Sequence, residues 1–105
     1  MALVCLLTLA GCDNKSMNDI IANEPNITGF VKDTGEHAIL IENENGEYWV
    51  SLNVQNKDSM THFTIGDEVV VYFDGMVAES SPMQIINVYT ITLKTPSDRM
   101  ENDNP

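Results

Sequence analysis

Basic residues are scarce in this chain. Five Lys and Arg stand against 16 Asp and Glu, a formal net charge of −11. Nucleic acid is therefore not an expected partner, because phosphate binding needs clustered cations and these five are scattered. Lying flat on anionic lipid headgroups is disfavoured on the same ground. Cationic partners, metal ions and neutral surfaces stay open. Cysteine and histidine occur twice each, and the two histidines lie 25 positions apart, not at the short spacing a metal site wants. Aromatic residues are sparse, at three Phe, three Tyr and one Trp, yet 43% of residues are apolar, which supports a folded core. No apolar run reaches the roughly 20 residues a membrane-spanning helix needs. No internal repeat is visible. The 105 residues suffice for one small domain. A core that small is marginal, and a closed or nearly closed sheet is one way for it to avoid open edges.

What is there begins with Met-Ala-Leu-Val-Cys-Leu-Leu-Thr-Leu-Ala-Gly-Cys. An apolar run of about ten residues suits the core of a signal peptide. It ends in Leu9-Ala10-Gly11-Cys12, which resembles the lipobox of bacterial lipoproteins: an aliphatic residue, two small residues, then Cys. In that family a diacylglyceryl group is added to the Cys thiol, and a dedicated peptidase cuts before it. The resemblance implies a signal peptide over residues 1–11 and lipid attachment at Cys12. It also implies residence on the extracytoplasmic face of the cell membrane. Cys5 would leave with the signal peptide, so the mature protein would have neither free thiol nor disulfide. One feature departs from the pattern: only Met1 and Ala2 precede Leu3, so the usual basic residue ahead of the run is missing. The competing reading is a short buried helix with a chance Cys.

Residues 12–26 are mostly polar after the Cys and read as a flexible tether. Met17 to Ala22 has room for one amphipathic turn, which Pro25 stops. Five strands follow. Strand one runs from about Ile27 to Lys32, strand two from His37 to Glu42 and strand three from Tyr48 to Leu52. Asn45-Gly46 between the last two is a strong hairpin signal, read as a type I′ turn with both residues at positive φ. Residues 53–63 break the strand rhythm and read as a loop or one helical turn. Gly66-Asp67 leads into strand four, Val69 to Phe73, and Asp74-Gly75 stops it. Strand five spans about Gln84 to Leu93. Alternation slips at Ile85-Ile86, where a bulge fits. Residues 95–105 read as a disordered acidic tail.

Five short strands with a longer link after the third suggest an all-β domain over residues 27–94. The expected form is a small OB-like barrel with a short helical or irregular link after strand three. An SH3-like barrel or a small sandwich is the alternative. Two segments, Ile65 to Gly75 (Ile-Gly-Asp-Glu-Val-Val-Val-Tyr-Phe-Asp-Gly) and Ala78 to Gln84 (Ala-Glu-Ser-Ser-Pro-Met-Gln), join the lipobox in a further resemblance. Together they resemble the YobA-like family of small bacterial lipoproteins, catalogued as a domain of unknown function. Position 81 departs from that family's pattern, carrying Ser where an aromatic is expected. The resemblance implies an OB-like fold and an address outside the cell. It brings no activity and no catalytic residue.

The candidate chemistry is thin. His37 and His62 stand far apart with no Cys nearby, so a metal site is not expected. Ser80 and Ser81 lack the Gly-x-Ser-x-Gly elbow of a hydrolase, and Pro82 beside them shapes a turn. Asp74 and Glu79 could hold a hard cation, although Asp74 before Gly75 is more simply a turn former. Tyr48, Trp49 and Tyr72 could form an aromatic binding face, or at least one of them could be core. No catalytic residue, cofactor or metal is expected, and the protein is not read as an enzyme. The expectation is a monomeric, lipid-anchored binding or accessory module at the cell envelope, with a protein or peptide partner. A small-ligand or glycan binder using the aromatics is the alternative.

Overall fold

The computed structural model describes residues 15–97. The signal-peptide stretch 1–11, Cys12 and the tail from residue 98 lie outside the described residues. Helix α1 spans Met17–Asn23. Six strands follow: β1 Asn26–Thr34, β2 Ala38–Asn43, β3 Gly46–Ser51, β4 Glu68–Phe73, β5 Met83–Ile85 and β6 Val88–Thr95. The all-β expectation holds. The link between β3 and β4 is irregular, as one of the two expectations had it.

The five-stranded closed barrel does not hold. The strands form one six-stranded open sheet, ordered β5-β3-β2-β1-β4-β6. Every pairing is antiparallel except β3 with β5. The extra strand comes from the expected strand five, which splits at Ile86-Asn87. Ile85 is 1% exposed and pairs with Val50, whereas Ile86 is 61% exposed. Two adjacent isoleucines cannot both face the core of one pleated strand. The chain swings out between them. β5 pairs with β3 on one side, and β6 pairs with β4 on the other.

This split bends the sheet. Laid flat, five inter-strand steps of about 4.8 Å would put the edge strands roughly 24 Å apart. Yet Ile85 and Val88 are joined by three Cα steps, about 11 Å at most. The sheet must curl until its two edges are neighbours. Backbone bonds from the chain just past β3 to β6 stitch the seam: Gln55 N–H to Val88 O at 3.2 Å and Asn56 N–H to Tyr89 O at 2.9 Å. Inside the curl lie Ile39 and Ile41, Tyr48 and Val50, and Val69, Val71 and Phe73, each set at the spacing of two that one strand face requires. Val54 and Phe63 from the irregular link join the same core.

The hairpin turn sits one residue earlier than expected. Asn43 pairs with Gly46, so Glu44-Asn45 forms the loop. Within this turn only Gly46 has positive φ, at 134°, and among the described residues only glycines do. The Asn43 side chain explains the shift. Its Oδ1 accepts from Asn45 N–H at 2.8 Å, and its amide nitrogen donates to Thr28 O at 2.9 Å. The side chain thereby fixes the turn from the preceding position. The register still sends Ile39 and Ile41 inward, opposite Val50 and Tyr48.

The tether expectation over residues 12–26 is corrected for its second half. Ser16 caps α1 by accepting from Asp19 N–H at 3.2 Å, and Ile20 is fully buried. Seven residues do not hold a helix alone in water, so tertiary contacts must. Both ends are tied down, one to the link after β3 and one to β4. Lys15 O accepts from the Asn56 side chain at 2.9 Å, and Pro25 O accepts from Phe73 N–H at 3.1 Å. Lys15 Nζ also lies 5.5 Å from the Tyr89 ring centroid and 3.2 Å from the Glu24 carboxylate. The hydrogen bond to Glu24 raises the Lys15 ammonium pKa above its ordinary 10.5. At the other terminus, Thr95 belongs to β6 and Ser97 is buried, so the start of the expected tail is held down.

Candidate functional site

The three aromatics do not share a face. Tyr48 is 7% exposed and belongs to the core. Trp49, next along β3, points the opposite way as the pleat dictates, and sits half-buried between Leu40 and Gln84 in the register. Tyr72 is buried on the outer side of β4, opposite Asn26 where the chain leaves α1. The adjacency of Tyr48 and Trp49 already carried this separation.

The other candidates settle into structural roles. His37 and His62 are both exposed, His37 with its Nε2 3.7 Å from the Glu36 carboxylate. Ser80 Oγ donates to Pro82 O at 2.7 Å, which turns the hydroxyl toward a carbonyl, and Ser81 is exposed. Asp74 Oδ1 accepts from Met76 N–H and Oδ2 from the Asn87 side chain, both at 2.9 Å. That is the turn-forming reading of Asp74. No group of three or more His, Cys, Asp or Glu suited to a metal ion occurs among the described residues.

A different site emerges from residues 74–87, the excursion between β4 and β6. Gly75, at φ 89°, lets the chain leave β4 against Pro25. Two rungs then hold the excursion. At its base, Asp74 and Asn87 are joined by the backbone bond at 3.3 Å and the side-chain bond at 2.9 Å. Further out, Ala78 and Gln84 exchange both backbone bonds, at 2.8 and 3.1 Å. Between the rungs lies a cleft of about 220 Å³ lined by Met76, Val77, Ala78, Gln84, Ile86 and Asn87. Met76 is 70% exposed and Ile86 61%, while Val77 packs against the core. Beyond the outer rung a second hollow, of about 310 Å³, runs past Glu47, Ser80 and Pro82.

The cleft offers apolar walls and two side-chain amides, Gln84 and Asn87. That set suits an apolar side chain whose backbone bonds to the amides. Met76 follows the Asp74-Gly75 stop, and Ile86 falls within the strand expected over Gln84 to Leu93. The signal that could have joined them was Ile85-Ile86, where one isoleucine has to leave the core.

A family model described as "Protein of unknown function (DUF3221)" matches residues 14–89. No curated protein and no solved structure matches the chain.

Proposed function

The chain belongs to the DUF3221 family of proteins of unknown function, and from that premise we propose that it is a binding or accessory module of the cell envelope, lipid-anchored through Cys12. The observation that carries this reading is the two-rung cleft, a preformed recess that leaves Met76 and Ile86 in water. Isolated exposed apolar residues need no explanation, but a concave apolar recess with a few polar groups is the usual form of a binding site.

The anchor rests on Leu9-Ala10-Gly11-Cys12 and the YobA-like resemblance. Cys12 stands four residues before the cap Ser16, a reach of at most about 14 Å. Lipid on Cys12 would therefore hold the sheet close to the membrane, and the charge of −11 would keep it off anionic headgroups. The OB-like assignment is supported by the parallel β3–β5 pair and by edge strands that follow one another in sequence.

Cross-linking in intact cells, followed by mass spectrometry, tests the role. An envelope protein captured by the wild type and lost with Cys12→Ala is the expected result. Capture of cytoplasmic proteins alone would contradict it.

A further inference from the structure

We propose that the cleft between the rungs receives an apolar side chain presented by a cationic peptide segment. This rests on the binding-module reading and names the partner by its chemistry. The walls come first. Met76 and Ile86 expose apolar surface on opposite arms of the excursion, and the rungs hold those arms apart. Removing such surface from water is favourable for an apolar group that fits between them.

Charge then selects among apolar partners. Carboxylates bracket the cleft along the chain. Asp74 is fixed in the base rung by Met76 and Asn87, and Glu79 is exposed one residue past the outer rung. Glu47 lines the hollow beyond. No Lys or Arg occurs between Lys57 and Lys94, the stretch that builds the whole excursion. The described lysines are engaged elsewhere: Lys15 with Glu24, Lys32 with Glu42, Lys94 with Glu68, and Lys57 with Val54 O. A second copy would bring −11 against −11, and an acidic partner would be repelled in the same way. A segment with Lys or Arg flanking one apolar residue meets both the walls and the carboxylates. Its attraction weakens as salt rises.

The test titrates the full chain, methyl-labelled at Met and Ile, with three synthetic peptides followed by NMR. One is lysine-rich with a central Leu. The second replaces that Leu with Ser, and the third replaces the lysines with glutamates. The first should shift the Met76 and Ile86 methyls saturably, with weaker binding at higher salt. Loss of the buried Leu should weaken binding about tenfold or more. The glutamate peptide should give no shift. Met76→Gln with Ile86→Gln, both at exposed positions, should remove the Leu-over-Ser preference. Glu79→Gln should flatten the salt dependence. Equal binding of the Leu and Ser peptides, shifts confined to other methyls, or binding of the glutamate peptide would each overturn the proposal. If the lysine peptide fails while cross-linking still captures a neutral or acidic envelope protein at Met76, the cationic partner falls and the module stands. If the peptide binds but no envelope protein is captured in cells, the cleft chemistry stands and the envelope role falls.

Discussion

Asp67 and Ser97 are joined by a bond from Ser97 N–H to Asp67 Oδ1 at 2.8 Å, with both residues buried. The same carboxylate accepts from Thr64 N–H at 2.9 Å through Oδ2. One side chain thus fixes the entry to β4 and the chain leaving β6. Asp67→Ala leaves both backbone donors without their acceptor, at a cost of about 2 to 4 kcal/mol. For a domain this size that lowers the melting temperature by roughly 10 °C or more. Asp67→Asn keeps one carbonyl acceptor and should fall between. Equal melting of all three proteins would show that the staple carries no stability.

The glycines give a second order of stability. Gly46 and Gly75 have φ of 134° and 89°, a region costly for β-branched residues. A Cβ on Gly46 would also come within 3.1 Å of the Met83 methyl. Gly46→Val and Gly75→Val should each cost about 1 to 3 kcal/mol. Gly46→Ala should cost less than Gly46→Val. Ser80→Ala and Ser81→Ala, at exposed positions, should melt within about 2 to 4 °C of wild type, the ±0.5 kcal/mol of ordinary surface changes. Melting curves that do not separate these groups would contradict the turn assignments.

Docking of α1 is tested by two neighbours. Ile20 is 0% exposed and Ile21 49%. Ile20→Ala should cost about 2 to 4 kcal/mol, and Ile21→Ala a small fraction of that. Hydrogen exchange of the α1 amides should speed up in the first variant only. The Lys15–Glu24 contact has its own pH signature. Because the Lys15 pKa is raised on folding, its contribution is present below the ordinary lysine value and lost as pH rises through the folded value. Equal exchange of α1 in both variants would restore the tether reading.

The sequence legibly carried the strands that alternate cleanly. In strand four, Val69, Val71 and Phe73 stand at the spacing of two that one strand face requires, and they face the core. The Asp74 turn was legible too, because aspartate before glycine has few other uses. Three features were not. Ile20 is fully buried, and one amphipathic turn over Met17 to Ala22 does not show from its own pattern that it will dock. The Asn45-Gly46 signal was overridden by the Asn43 side chain, whose partner Thr28 lies on another strand. The cleft depends on β5 and β6 choosing different neighbours. That choice is tertiary, and only the adjacency of Ile85 and Ile86 hinted at it.

Lipid attachment is checked separately from the fold. Cys12→Ala should abolish labelling with a fatty-acid analogue and move the protein out of the membrane fraction or leave it uncleaved. A lipidated, cleaved Cys12→Ala product would remove the anchor from the account.

The most direct measurement of the central claim places one photo-reactive residue at Met76 or at Phe30 and cross-links in intact cells. Met76 lies at the cleft, and Phe30 is exposed on β1 opposite Glu68, at the other end of β4 from the excursion. The expected result is that the Met76 probe captures one saturable partner, competed by a lysine-rich peptide carrying a central Leu, and that the Phe30 probe captures far less of it. Capture from Phe30 without capture from Met76 would contradict the claim.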